Sequence, residues 1–178
     1  MRKTVWMPIF ALALAVLILF GVSTGLAGFR QARLEQELNG KMQTILPCST
    51  TFTPETYAGN DANIRAVYRG ETGYVVSTVT PGYAGSIAML IGVSSEGRVT
   101  GLQVRDMAET PGLGGRALTD GDFLIQFLNT AGDAEVGKTV DALTGATVTS
   151  RAIARSVNSA VGFVTGADAS SGATSWGG

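Results

Sequence analysis

The sequence predicts an α+β protein: an N-terminal transmembrane helix, then a small domain with an antiparallel sheet and few helices. Three observations predict this. Thr4 to Phe29 carries no charged residue. Between residues 64 and 107, short alternating apolar runs are separated by tight Gly-containing turns, which is the pattern of strands joined as hairpins and not of βαβ units. From Val148 to Val164, apolar residues recur at helical spacing.

Composition narrows the chemistry. A chain of 178 residues suits one domain plus an appendage. The net charge of −1 gives no electrostatic case for nucleic acid. Mean hydropathy is +0.24, high for a chain without a membrane segment. Glycine occupies 24 positions, close to twice the usual ~7%, so turns and close backbone approaches are expected. There is no histidine, which excludes Ser-His-Asp chemistry, His-Glu zinc sites and His-ligated haem. The single cysteine, Cys48, builds no cluster, zinc-thiolate site or intrachain disulfide. Redox chemistry in this chain therefore requires an organic cofactor.

The elements follow in order. Arg2 and Lys3 precede the uncharged run, and Trp6 to Leu26 is almost wholly apolar. Twenty such residues span the ~30 Å hydrocarbon core. The run is longer than a signal-peptide core, so a retained anchor over 1–29 is expected rather than a cleaved leader. The paired cations place the N-terminus in the cytoplasm, although Arg30 and Arg33 follow the span, accompanied by Glu35 and Glu37. Gln31 to Leu46 reads as a helical stalk, with Leu34, Leu38, Met42 and Leu46 spaced by four and Pro47 ending it. Residues 48–60 are rich in Thr, Ser, Pro and Gly and complete a stalk and linker over 30–60.

The domain is expected over 61–164. Ile64 to Arg69 and Tyr74 to Thr80 read as strands around Gly70-Glu71-Thr72-Gly73. Pro81 to Gly85 is a turn. Ile87, Met89, Ile91 and Val93 mark a strand with one buried face, and Ser95-Glu96-Gly97 turns the chain. Val99 to Met107 is a strand with Leu102 and Val104 inward, Gln103 and Arg105 outward. Phe123 to Leu128 is a short helix, and Val136 to Val140 a last strand. In the final helix Ile153, Val157, Ala160, Val161 and Val164 form the apolar stripe, with Arg151 and Arg155 off it. Residues 165–178, rich in Ser, Gly and Ala, read as a disordered tail.

Two stretches carry the chemistry. Asp141-Ala142-Leu143-Thr144-Gly145-Ala146-Thr147-Val148-Thr149-Ser150 joins a small-residue turn to the final helix. Free amides and the positive dipole end at such a point favour a phosphate. A helix start that uses Thr147 or Thr149 as its cap is the alternative reading of the same residues. Glu109-Thr110-Pro111-Gly112-Leu113-Gly114-Gly115-Arg116 follows a strand, and its glycines let the backbone approach a planar or phosphorylated ligand. It has neither the lysine of a Walker loop nor the βαβ setting of a dinucleotide fingerprint.

Asp141-x-x-Thr144-Gly145-Ala146-Thr147 resembles the flavinylation motif of the covalent-FMN-binding domains of membrane redox complexes. Glu109 to Gly114 resembles the companion loop of that family. The N-terminal anchor also matches, and the resemblance covers roughly residues 1–164. It is nearest to the G subunits of Rnf ion-translocating oxidoreductase complexes, with the C subunits of sodium-pumping NADH:quinone oxidoreductases as the related alternative.

The resemblance implies a small α+β FMN-binding domain in which Thr147 is joined to FMN through a phosphoester. Thr144, Gly145 and Ala146 would line the phosphate turn, and Asp141 would be the acidic residue that a separate flavin transferase needs. Glu109, Thr110, Gly112, Leu113 and Gly114 would lie near the isoalloxazine ring, with Tyr83 in a third wall. It further implies an electron carrier in the cytoplasmic (inner) membrane, single-pass, with its domain on the extracytoplasmic side. Its partners would be the other membrane subunits of a complex coupling ferredoxin–NAD electron transfer to Na+ or H+ transport. No side chain would then act as acid, base or nucleophile in turnover.

Ser171-Gly172-Ala173-Thr174 repeats the motif core, with Asp168 placed as Asp141 is. No helical pattern follows it, so flavin is expected at Thr147 alone. Two other classes stay open on residue types: a membrane-anchored binding module, and, ranked last, a threonine or serine hydrolase, which lacks a base near its nucleophile.

Overall fold

A computed structural model describes residues 33–107 and 120–167. The anchor, the Glu109–Arg116 loop and the Thr174 motif copy lie outside the described residues. Among the described residues no helix is long and apolar enough to cross a membrane. The described residues from Lys41 onward form one compact unit, which holds the end of the leading helix, the sheet and both later helices.

Helix α1 covers residues 33–45. The fourfold leucine spacing expected to organise it is only half used. Leu34 is 66% exposed, while Met42, Ile45 and Leu46 are buried. Five strands follow: β1 (Thr53–Glu55), β2 (Ile64–Arg69), β3 (Gly73–Pro81), β4 (Ser86–Ser94) and β5 (Val99–Met107). They form one antiparallel sheet in the order β1-β2-β3-β4-β5. Each neighbour in sequence is thus a neighbour in space, as the hairpin signals required.

Strand β1 falls within the stretch expected to be linker. Thr53-Pro54-Glu55 is exposed throughout and has no apolar alternation. Only its register with β2, from Thr53↔Arg69 to Glu55↔Val67, makes it a strand, and proline is tolerated there because the strand is an edge.

The pleat sorts the sheet into two faces. Val76 pairs with Ile91, Thr78 with Met89 and Thr80 with Ile87, and the apolar residues of this face join the main core. Helix α2 (Gly121–Ile125) and helix α3 (Thr147–Thr165) supply the rest of that core. Phe123 and Phe127 meet edge to face at 5.3 Å, and Ala152, Ile153, Val157, Ala160 and Val161 come from α3. The other face presents Gly92, aligned with Val75 and Gly101, to the end of α1. A Cβ on Gly92 would strike the Ile45 carbonyl, and one on Gly101 would stand 2.7 Å from Ile45 Cα. Thr100 Oγ1 donates to the Ile45 carbonyl at 2.6 Å. The two glycines therefore let the α1 backbone lie directly on the sheet.

Two expectations need correction. Val136–Val140 is not a strand but a tight turn, with one isolated bridge between its ends. Gly137 has φ 89, and the Glu135 carbonyl accepts from the amides of Lys138, Thr139 and Val140, which uses the backbone groups locally. Gln103, expected to face outward, is half-buried with its Oε1 enclosed and unpartnered.

Candidate functional site

Helix α3 sets the geometry of the motif. It crosses β3 in the opposite direction, and its contacts index it residue by residue. The Tyr74 and Phe163 rings meet at 5.6 Å, Thr80 Oγ1 and Ser156 Oγ share a hydrogen bond of 2.6 Å, and Arg155 Nη2 donates to the Pro81 carbonyl at 3.4 Å. Asn63 Nδ2 donates to Ser159 Oγ at 3.2 Å. From the Ser156 contact the helix continues about 13 Å to Thr147, so its N-terminus lies toward the end of the sheet where β3 turns into β4. Met107, the last described residue before the second glycine-rich stretch, pairs with Ile87 at this same end. Topology therefore sends the helix start, the Gly82–Gly85 turn and the outlet of β5 to one end of the sheet.

Within the motif, the Ala146 amide donates to the Leu143 carbonyl at 2.9 Å, closing a turn with Thr144 and Gly145 at its centre. Gly145 has φ 79, the left-handed value that a type II turn requires at its third position. Ser150 then ties the turn to the helix. Its hydroxyl accepts from the Leu143 amide at 3.2 Å and donates to the Ala146 carbonyl at 3.0 Å, and the residue is fully buried. The beginning of the motif is held from elsewhere: Gln126 Oε1, just past α2, accepts from the Asp141 amide at 2.8 Å.

The helix start itself is bare. Ala146 is the N-cap and no side chain caps the helix. The expected alternative, a cap by Thr147 or Thr149, is therefore not what the hydroxyls do. Thr147 is the first helical residue and is exposed, whereas Thr149 is buried. No acidic residue stands in the first turn. The first amides of any α-helix lack an intrahelical acceptor, and here the dipole end meets no carboxylate within its own helix.

The remaining candidate residues divide by exposure. Asp141, Thr144 and Gly145 are exposed, and Ala146 is buried. Tyr83, on the β3–β4 turn, is 75% exposed, and the turn is closed by the Gly82 amide donating to the Gly85 carbonyl at 2.7 Å. Glu109, Thr110, Gly112, Leu113 and Gly114 lie outside the described residues. Gln126 is a site residue that the sequence does not reveal, because its partner is fifteen positions away. The role of Ser150 is local, with partners seven and four positions earlier. A buried serine one turn after a helix start, free to bond back to the preceding carbonyl, was the available signal.

Residues 82–162 match the FMN-binding domain family. The G subunit of the ion-translocating oxidoreductase complex of Methanosarcina acetivorans is 32% identical over 177 residues, covering 92% of this chain and 93% of that protein. The chain belongs to the family of G subunits of ion-translocating oxidoreductase complexes. Another relative, the G subunit of the Na(+)-translocating ferredoxin:NAD(+) oxidoreductase complex of Acetobacterium woodii, is 28% identical, with 88% of this chain and 91% of that protein covered. The G subunit of the proton-translocating ferredoxin:NAD(+) oxidoreductase complex of Clostridium ljungdahlii is 38% identical over 99 residues, 52% of this chain and 53% of its own length. The FMN-binding match begins at the β3–β4 turn and ends inside α3, so it includes both the exposed Tyr83 and the uncapped helix start.

The residues present fit the phosphate of FMN. An exposed hydroxyl at the first helical position, uncapped amides, no first-turn carboxylate and a glycine-shaped turn together provide room and positive potential for one phosphoryl group.

Proposed function

We propose that the protein is an electron-carrier subunit with FMN joined to Thr147 by a phosphoester, working in a membrane-bound ion-translocating oxidoreductase. FMN supplies one-electron transfer; the chain supplies attachment, orientation and surroundings. Relatives with names that specify ferredoxin and NAD support a place between those two branches, coupled to Na+ or H+ movement. The charge-free run from Thr4 to Phe29 supports a single-pass anchor in the cytoplasmic membrane, with Arg2 and Lys3 inside and the domain outside.

The observation that carries the reading is the exposed Thr147 hydroxyl at a helix start with no side-chain cap. Thr147 has no histidine to activate it, since the chain has none, so a separate flavin transferase makes the bond. The Thr147 Oγ attacks the FMN phosphorus of FAD, its proton passes to the transferase or solvent, and AMP leaves. Asp141 stands near the turn as the acidic group for that step. Thr144 and Gly145 form the centre of the turn and Ala146 closes it, so the three line the phosphate. The Glu109–Gly114 loop and Tyr83 are assigned to the ring.

The test is intact-mass analysis of the full chain made with and without a flavin transferase. The expected result is one FMN-sized addition, dependent on the transferase, lost in Thr147→Ala and kept in Thr174→Ala. Retention in Thr147→Ala would overturn the assignment. A chain that takes up no flavin would favour a membrane-anchored binding module instead.

A further inference from the structure

Thr147 and Arg151 are one helical turn apart on α3, and both are exposed. Residues at this spacing have Cβ atoms about 5–6 Å apart. Helical side chains lean toward the N-terminus of their helix, so a long side chain covers the turn before its own Cα. At this spacing the Arg151 side chain has the length and the direction to reach back over the turn that begins at Thr147. Arg155, a further turn along, is engaged by the Pro81 carbonyl at 3.4 Å. Arg151 makes no ion pair among the described residues. The first turn of α3 also contains no carboxylate to compete for it.

We infer that Arg151 is a second anchor for the cofactor, its guanidinium holding the phosphodiester formed on Thr147. This rests on the reading of Thr147 as the attachment point. A phosphodiester keeps one negative charge and two non-bridging oxygens. The helix amides approach it from one side along the axis, and a planar guanidinium from the helix surface offers paired donors. A tether through Thr147 alone leaves rotation about several single bonds. A second contact at the phosphorus removes part of that freedom, so Arg151 restricts where the ring can travel relative to the β3–β4 turn. Arg151 is thus a positioning residue with no part in electron transfer.

The experiment uses the full chain in detergent, flavinylated by a transferase, as wild type, Arg151→Gln, Arg151→Lys and, as a control on the exposed part of β2, Arg65→Gln. Intact mass first establishes that FMN is present on Thr147 in every sample; its absence from the wild type would overturn the underlying reading and this inference with it. With FMN in place, the phosphorus-31 resonance and the time-resolved flavin anisotropy are recorded at low and high salt. Arg151→Gln is expected to move the resonance and to reduce the docked population by a factor of about two to five, the size typical of an exposed charge pair. Arg151→Lys restores part of it, and salt brings wild type toward the Gln variant. If Arg151→Gln and Arg65→Gln match the wild type in both signals, Arg151 does not hold the phosphate.

Discussion

Replacing Ser150 by alanine tests whether the turn before α3 is held by one buried hydroxyl. The substitution removes two hydrogen bonds, to the Leu143 amide and to the Ala146 carbonyl. The carbonyl keeps the Ser150 backbone amide at 2.9 Å, so it is not orphaned. The Leu143 amide is, and an unsatisfied buried donor costs about 1–3 kcal/mol. Leu143 is only half-buried, which places the cost near the lower end, about 1 kcal/mol. Alanine recovers up to ~0.5 kcal/mol through its better helix propensity. The net is a destabilisation of roughly 0.5–1 kcal/mol, or about 1–4 °C in Tm.

Chemical denaturation gives the global number, and amide hydrogen exchange gives the local one. Exchange at Leu143 should quicken by about fivefold if the bond contributes close to 1 kcal/mol, while amides in the middle of α3 change far less. A variant that is neutral or stabilised, with Leu143 exchange unchanged, would show that the hydroxyl does not hold the turn.

Gly145→Ala forces a Cβ onto a residue at φ 79 and should cost about 1–2 kcal/mol, measured by denaturation; an unchanged midpoint would mean that the turn readily takes another shape. The Glu71 carboxyl is held at about 2 rather than 4.5, chiefly by the Thr50 amide and then by the Thr51 hydroxyl. Its folded value lies below its unfolded one, so its contribution is present above pH 4.5 and fades as pH falls toward about 2. Glu71→Gln should therefore flatten the acid side of the stability profile in that window, as read by circular dichroism, and an unaltered profile would remove Glu71 from the acid response.

The strands were legible where apolar residues alternate with burial. Ile87, Met89, Ile91 and Val93 all face the core, and β5 runs over the residues that its pattern marked. The stripe of Ile153, Val157, Ala160 and Val161 marked the buried side of α3 in the same way. Structure made by contacts across the chain was not legible. Strand β1 exists through pairing with β2 and has no pattern of its own. Val136 and Val140 looked like a strand because both are apolar, but Gly137 bends the backbone between them. At the site, the motif residues were legible as a turn into a helix. The grip of Gln126 on Asp141 and of Ser150 on Leu143 was not, since hydrogen bonds to backbone amides leave no periodic trace in side-chain type.

The buried side of α3 is made largely of small residues, among them Ala152, Ala154, Ser156, Ser159 and Ala160. Between Ile153, Val157 and Val161 such a surface has shallow ridges, so polar contacts add to what packing fixes along the helix axis. Alongside the packed side chains of Ile153, Val157 and Val161, the Thr80–Ser156 and Asn63–Ser159 hydrogen bonds act as detents against sliding. A slip of one turn would break both and carry Thr147 about 5.4 Å along the axis. Under the proposed attachment of FMN to Thr147, these contacts, together with the Tyr74–Phe163 ring contact, would help set the distance between the flavin and its electron partners, because electron tunnelling falls off steeply over ångströms.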